Sequence, residues 1–157
     1  MKRIFIWFIW AILVVLMVGC EKTGYMVIIS SNRIKYDDLQ QIGRMLEDKG
    51  FKAVVWERKK DVPKYPGEIY TLFEKKLSSK PYDVVDVYLN YVKDIPGNFA
   101  HNLMIDVSNV YKGMTITELK YEIDNIGDLI YRELVDKVGK ENVVIEGKEI
   151  HHRLIFF

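Results

Sequence analysis

Only a few residues in this chain of 157 are of the types that do chemistry at defined spacing. The three histidines are His101, His151 and His152. Adjacent residues of a strand point to opposite faces, so His151 and His152 do not chelate one ion together from a regular strand. A metal site would need His101, one of that pair and a carboxylate brought together by strand pairing. No helical HxxxH or HExxH spacing supports such a site, and no metal or other cofactor is expected. Carboxylates are numerous but dispersed. Asp83 and Asp86 flank the start of one strand and alternate to opposite sides. Glu118, Glu122 and Glu133 are interspersed with Lys120, Arg132 and Lys137, the pattern of a solvated helix face laced with ion pairs. A Gly-x-Ser-x-Gly elbow is lacking, so no hydrolase triad is indicated. Ser30-Ser31-Asn32-Arg33 lies between a strand and a helix, where crossover units bind anions. It lacks glycine, and reads as a loop satisfied by its own Ser and Asn side chains. No residue is assigned a catalytic role, and the chain is expected not to be an enzyme.

Aromatic residues offer a different chemistry. The chain has ten tyrosines, and Tyr82, Tyr88 and Tyr91 with Trp56 are candidates to line a partner-binding face, since such rings combine contact area with a polar handle. The basic loop Arg58-Lys59-Lys60, with Lys64, is a second candidate contact, in this case for anionic head groups. With 23 basic and 22 acidic residues, the whole chain has a net charge of +1 and no basic footprint for nucleic acid.

The single cysteine is the most informative of these residues because of where it stands. Lys2 and Arg3 precede an apolar run from residue 4 to 18, and Gly19-Cys20 closes it. A run of 15 residues is short for a bilayer core, which asks for about 20 in a helix. It suits the apolar region of a secretory leader. Leu16-Met17-Val18-Gly19-Cys20 resembles the lipobox of bacterial lipoproteins, with Met17 where that family most often has Leu. The resemblance implies cleavage between Gly19 and Cys20 and acylation of the Cys20 sulfur by a palmitate-type diacyl lipid anchor. It also divides the chain into a leader (1–19), a lipidated cysteine with a short tether (20–24) and one domain (25–157). Glu21 is not the Asp that favours inner-membrane retention in the family, which leans toward an outer membrane with the domain facing the periplasm. Inner membrane and cell surface remain open. No other cysteine is present, so the domain has no disulfide, thiolate nucleophile or cysteine-bound zinc.

The elements that must position these residues follow from hydrophobic period. Residues 25–30 are a compact apolar strand. A helix is expected over 36–49, with Leu39, Ile42, Met45 and Leu46 on one side and Gly50 as its stop. Residues 51–58 read as a strand parallel to the first, completing a crossover unit. Ile69, Leu72, Phe73 and Leu77 suggest a short helix over 67–79. Residues 82–94 and 98–111 alternate as two long strands joined by a type II turn at Ile95-Pro96-Gly97-Asn98. Thr115 with Glu118 forms a capping-box pattern for a long helix to Val138, stopped by Gly139. Short strands at 142–145 and 150–156, divided by a turn at Gly147, finish the chain.

Leaving out the short second helix and the final strand, the order is β-α-β-β-α-β, that of the ferredoxin-like split motif. The expected fold is α+β, a two-layer sandwich with one mixed sheet of five or six strands and two or three helices. A three-layer α/β fold and a curled half-barrel stay open. The functional expectation is a lipid-anchored envelope lipoprotein, a non-catalytic accessory or assembly domain that binds another envelope protein. A small-ligand or lipid-binding lipoprotein and an enzyme are the alternatives.

Overall fold

The computed structural model of the chain describes residues 22–54, 68–81, 83–92, 101–109 and 116–152. Their order is β1 (Lys22–Ser31), α1 (Tyr36–Asp48), β2 (Lys52–Val54), β3 (Glu68–Lys76), β4 (Val84–Val92), β5 (Leu103–Ser108), α2 (Thr117–Val138) and β6 (Val143–His152), with a 3-10 turn at Lys140–Asn142 before β6. The strands form one sheet in the order β2-β3-β4-β5-β1-β6. Every neighbouring pair is antiparallel. The architecture of the described residues is α+β, one six-stranded sheet with two helices.

Set beside the ferredoxin-like order, β1-α1-β4-β5-α2-β6 supplies the split motif, and β2 with β3 is a hairpin inserted after α1 that extends the sheet beyond β4. The expected parallel pairing of β1 with β2 does not occur. The two strands run the same way, but β5, β4 and β3 lie between them. The sheet is therefore antiparallel throughout rather than mixed.

Two elements differ from the sequence reading. The segment expected as a helix over 67–79 is strand β3, paired with β4 from Glu68↔Val92 to Lys76↔Val84. Its apolar residues fit both periods, because Phe73 faces the helices while Tyr70 and Leu72 face the other way, and pairing on both sides decides for strand. The two short strands expected around Gly147 are one strand, β6, with unbroken register to β1 from Ser31↔Val143 to Lys22↔His152. Gly147 pairs with Val27 inside that ladder. An edge strand is hydrogen-bonded on one side only, so a glycine there need not become a turn. Strands β4 and β5 form the expected hairpin, while its turn, residues 95–98, lies outside the described residues.

The core lies between the helices and one sheet face. Val27, Val107, Val87 and Phe73 form one cross-strand row, and Ile29, Ile105 and Leu89 lie in the next. All seven are buried. Leu119, Ile123, Ile126, Ile130 and Leu134 form the buried stripe of α2, and Leu39, Ile42 and Leu46 that of α1. Burying one such side chain contributes about 1.5–3 kcal/mol. Helix α2 crosses β1 so closely that a Cβ on Gly127 would stand 2.9 Å from Val27 Cγ1.

Helix ends agree with the sequence in part. Helix α1 begins where Lys35 N–H donates to the Asp38 carboxylate at 3.0 Å. Gly139, at φ +87°, accepts the left-handed backbone that ends α2. The N-cap of α2 is Ile116, not Thr115, and it has no side-chain cap bond. Among the described residues no helix is long and apolar enough to cross a membrane.

Candidate functional site

Alternation gives each central strand a second side chain row, on the face turned away from α1 and α2. On that face β4 places Asp86, Tyr88 and Asn90, and β5 places Met104, Asp106 and Ser108. Register fixes their neighbours: Asp86 stands opposite Ser108, Tyr88 opposite Asp106, and Asn90 opposite Met104. Diagonal neighbours in such a ladder are about 7–8 Å apart, so Asp86 and Asp106 lie within one side chain's reach of each other. Asp86 and Ser108 are each only 1% exposed. Among the described residues, the buried oxygens Asn90 Oδ1, Asp106 Oδ1 and Ser108 Oγ have no hydrogen-bond partner. Burial pushes the Asp106 carboxyl above its ordinary value, opposed by the positive charge of Lys148. A polar, partly acidic centre is thus built into the middle of the sheet.

Apolar side chains run alongside it. The row Tyr70-Asn90-Met104-Ser30-Val144 crosses five strands in continuous register. Tyr70, Met104 and Val144 are 37%, 43% and 54% exposed. At about 4.8 Å between strands, the row spans about 19 Å. Tyr70 and Tyr88 meet in a tilted contact, with ring centroids 6.0 Å apart and planes at 47°.

The candidate residues from sequence are scattered across this frame. Tyr88 belongs to the face turned away from α1 and α2, whereas Tyr91 is buried on the helix side, 6.4 Å from the ring of Tyr36. Trp56, Tyr82, Gly19 and Cys20 lie outside the described residues. His101 is exposed at one end of the sheet, beside the start of β5, while His151 and His152 close β6 at the opposite end. Those ends are about 30 Å apart at the rise of a strand, so the pairing a metal site would need is not made. Glu122 meets Lys75 at 2.8 Å and Glu133 meets Lys137 at 3.1 Å, which are structural ion pairs.

The Ser30–Arg33 segment is consumed by its own structure. Ser31 Oγ donates to the Asn142 carbonyl, Asn32 N–H donates to the same oxygen, and Asn102 N–H donates to the Ser31 carbonyl. The Asn102 side chain accepts from Ile34 N–H and donates to Ile34 O. These bonds tie three chain segments into one knot, which accounts for Arg33 holding φ +62° without glycine. No phosphate cradle results. Arg58, Lys59, Lys60 and Lys64, the second candidate contact, lie outside the described residues.

No known protein family, curated protein or solved structure matches the chain. The site must then be judged on its own residues. Sequence reasoning passed over Asn90, Asp106 and Ser108. The signal was the alternation of Asp86, Tyr88 and Asn90 against Val85, Val87 and Leu89, polar on one side of a strand apolar on the other. Among the described residues no three His, Cys, Asp or Glu side chains cluster as a metal site would require.

Proposed function

We propose that the chain is a lipid-anchored, non-catalytic domain of the bacterial cell envelope that binds another envelope protein. The leader with Gly19-Cys20 supplies the anchor, and the sheet face turned away from α1 and α2 supplies the binding surface. The observation that carries the reading is the row Tyr70-Asn90-Met104-Ser30-Val144, in which exposed Tyr70, Met104 and Val144 alternate with half-buried Asn90 and Ser30. Solitary exposed apolar side chains are ordinary, and the alignment of three of them in one row supports a contact surface.

The test places a photo-crosslinking side chain at Met104 or Val144 in the native envelope, with Tyr121 on the outer side of α2 as control. A discrete protein adduct at 104 and 144 and none at 121 is expected. Equal labelling at all three positions would refute the binding face. Independently, Cys20→Ala is expected to abolish palmitate labelling and leave the leader attached.

A further inference from the structure

We infer that the end of the sheet where β1 begins rests on the lipid surface itself, so that the strands point away from the membrane. This rests on the reading of Cys20 as the lipidated residue. Glu21 alone separates Cys20 from Lys22, the first residue of β1, so the anchor has almost no tether. One residue spans at most about 3.6 Å, which holds the start of the strand near the head groups.

The antiparallel register identifies what else lies at that end. Lys22 is paired with His152, Met26 with Ser108, Ser108 with Asp86, and Val84 with Lys76. The turn that follows Lys76 and the entry to α2 therefore sit on the anchored side. Each offers an exposed apolar residue: Leu77 is 39% exposed and Ile116 is 45% exposed. Both belong to the ends of elements, where a side chain reaches the interface without bringing the sheet with it. Lys49, Lys76 and Lys80 are exposed at the same end, against Asp48, Asp83 and Glu118, and the Asp83 carboxylate already accepts from Ser78 Oγ. Exposed apolar residues beside an acyl chain suit an interfacial contact, and the balanced charges around them leave that contact to apolar burial rather than to lipid charge. The far end carries Asn32, Arg33, Asn102 and Asn142, the knot described above, and is presented to the aqueous side.

The experiment uses the processed, full-length protein reconstituted in phosphatidylcholine–phosphatidylglycerol vesicles with brominated acyl chains. The tryptophans are Trp7, Trp10 and Trp56, so removal of the leader leaves Trp56 alone. In a Trp56→Phe parent, tryptophan is introduced singly as Leu77→Trp, Ile116→Trp or Lys140→Trp. The first two are expected to lose more than about half their emission to the bromines, and the third less than about a tenth, given insertion to head-group depth. Quenching at 77 and 116 no greater than at 140, in protein that labels with palmitate, would overturn the orientation alone. A parent that keeps Trp7 and Trp10 emission and takes up no palmitate would overturn the anchor, and the orientation with it.

Discussion

The two faces of the sheet share one backbone and obey opposite rules. Toward the helices, Val27, Ile29, Val87, Leu89, Ile105 and Val107 are all buried and all aliphatic. One residue along the chain from the β4 and β5 members of that set, the other face carries Asp86, Tyr88, Asn90, Met104, Asp106 and Ser108. The first face is built to hold the fold together. The second contains groups that make holding it together harder, because a buried polar atom without a partner costs about 1–3 kcal/mol. A strand gives its two rows independent environments, so stability and recognition need not be traded at the same residue.

The largest test of this contrast is a pair of neighbouring truncations. Ile105→Ala is expected to cost about 2–5 kcal/mol in urea unfolding, whereas Met104→Ala should cost well under half of that. Equal losses would mean that the second face is also core. Gly127→Val should be destabilising by about 1–3 kcal/mol, since its side chain would enter the space of Val27 where α2 crosses β1. A neutral result would show that the helix can lift from the sheet without penalty.

Tyr25 tests the polar edge of the helix side. Its hydroxyl donates to the Asp124 carboxylate at 2.8 Å, with Lys120 Nζ 4.5 Å from its ring centroid. Tyr25→Phe should cost about 1 kcal/mol. Burial, and then the bond to Asp124, push the Tyr25 phenol up to about 12 from an ordinary 10.0. The folded state thus favours the neutral phenol. Its contribution is fully present below pH 10 and is lost as pH rises toward 12, and this alkaline slope should shrink in Tyr25→Phe.

The smallest expected effect has the opposite sign to the others. The Asp106 carboxyl is raised by burial, so the fold favours its protonated form and pays a penalty once pH rises through the carboxylate range. Asp106→Asn should therefore raise the urea midpoint modestly at neutral pH, with the gain shrinking as pH falls and the wild-type carboxyl protonates. If the same variant loses the crosslinked adduct at Met104, the residue belongs to recognition. A variant both less stable at neutral pH and unchanged in crosslinking would erase the distinction between the faces.

What was legible in the sequence was local. The buried stripe of α2 from Leu119 to Leu134, the stops at Gly50 and Gly139, and the alternation of Leu103, Ile105 and Val107 all depend on residues within a few positions of one another. The site on the face turned away from α1 and α2 was half legible, since Asp86, Tyr88 and Asn90 alternate openly in β4. Its other half comes from β5, and the fact that Asp86 meets Ser108 rather than Asp106 depends on register set over two dozen residues. Strand β3 also fits a helix in sequence, because nine residues with apolar groups on both faces satisfy either period. Strand β6 was divided at Gly147 because glycine marks turns in most contexts, and only its place at the sheet edge makes it a strand residue.

The position of β1 has a consequence in time. It is made first, yet its neighbours in the sheet are β5 and β6, whose paired residues begin at 103 and 143. Until those segments have been made, Val27 and Ile29 have no ladder to join, and no shorter product can close the sheet. Closure over so long a separation is slow compared with local pairing. The β3–β4–β5 meander can form meanwhile from neighbours in sequence, and it offers β1 the edge on which assembly finishes.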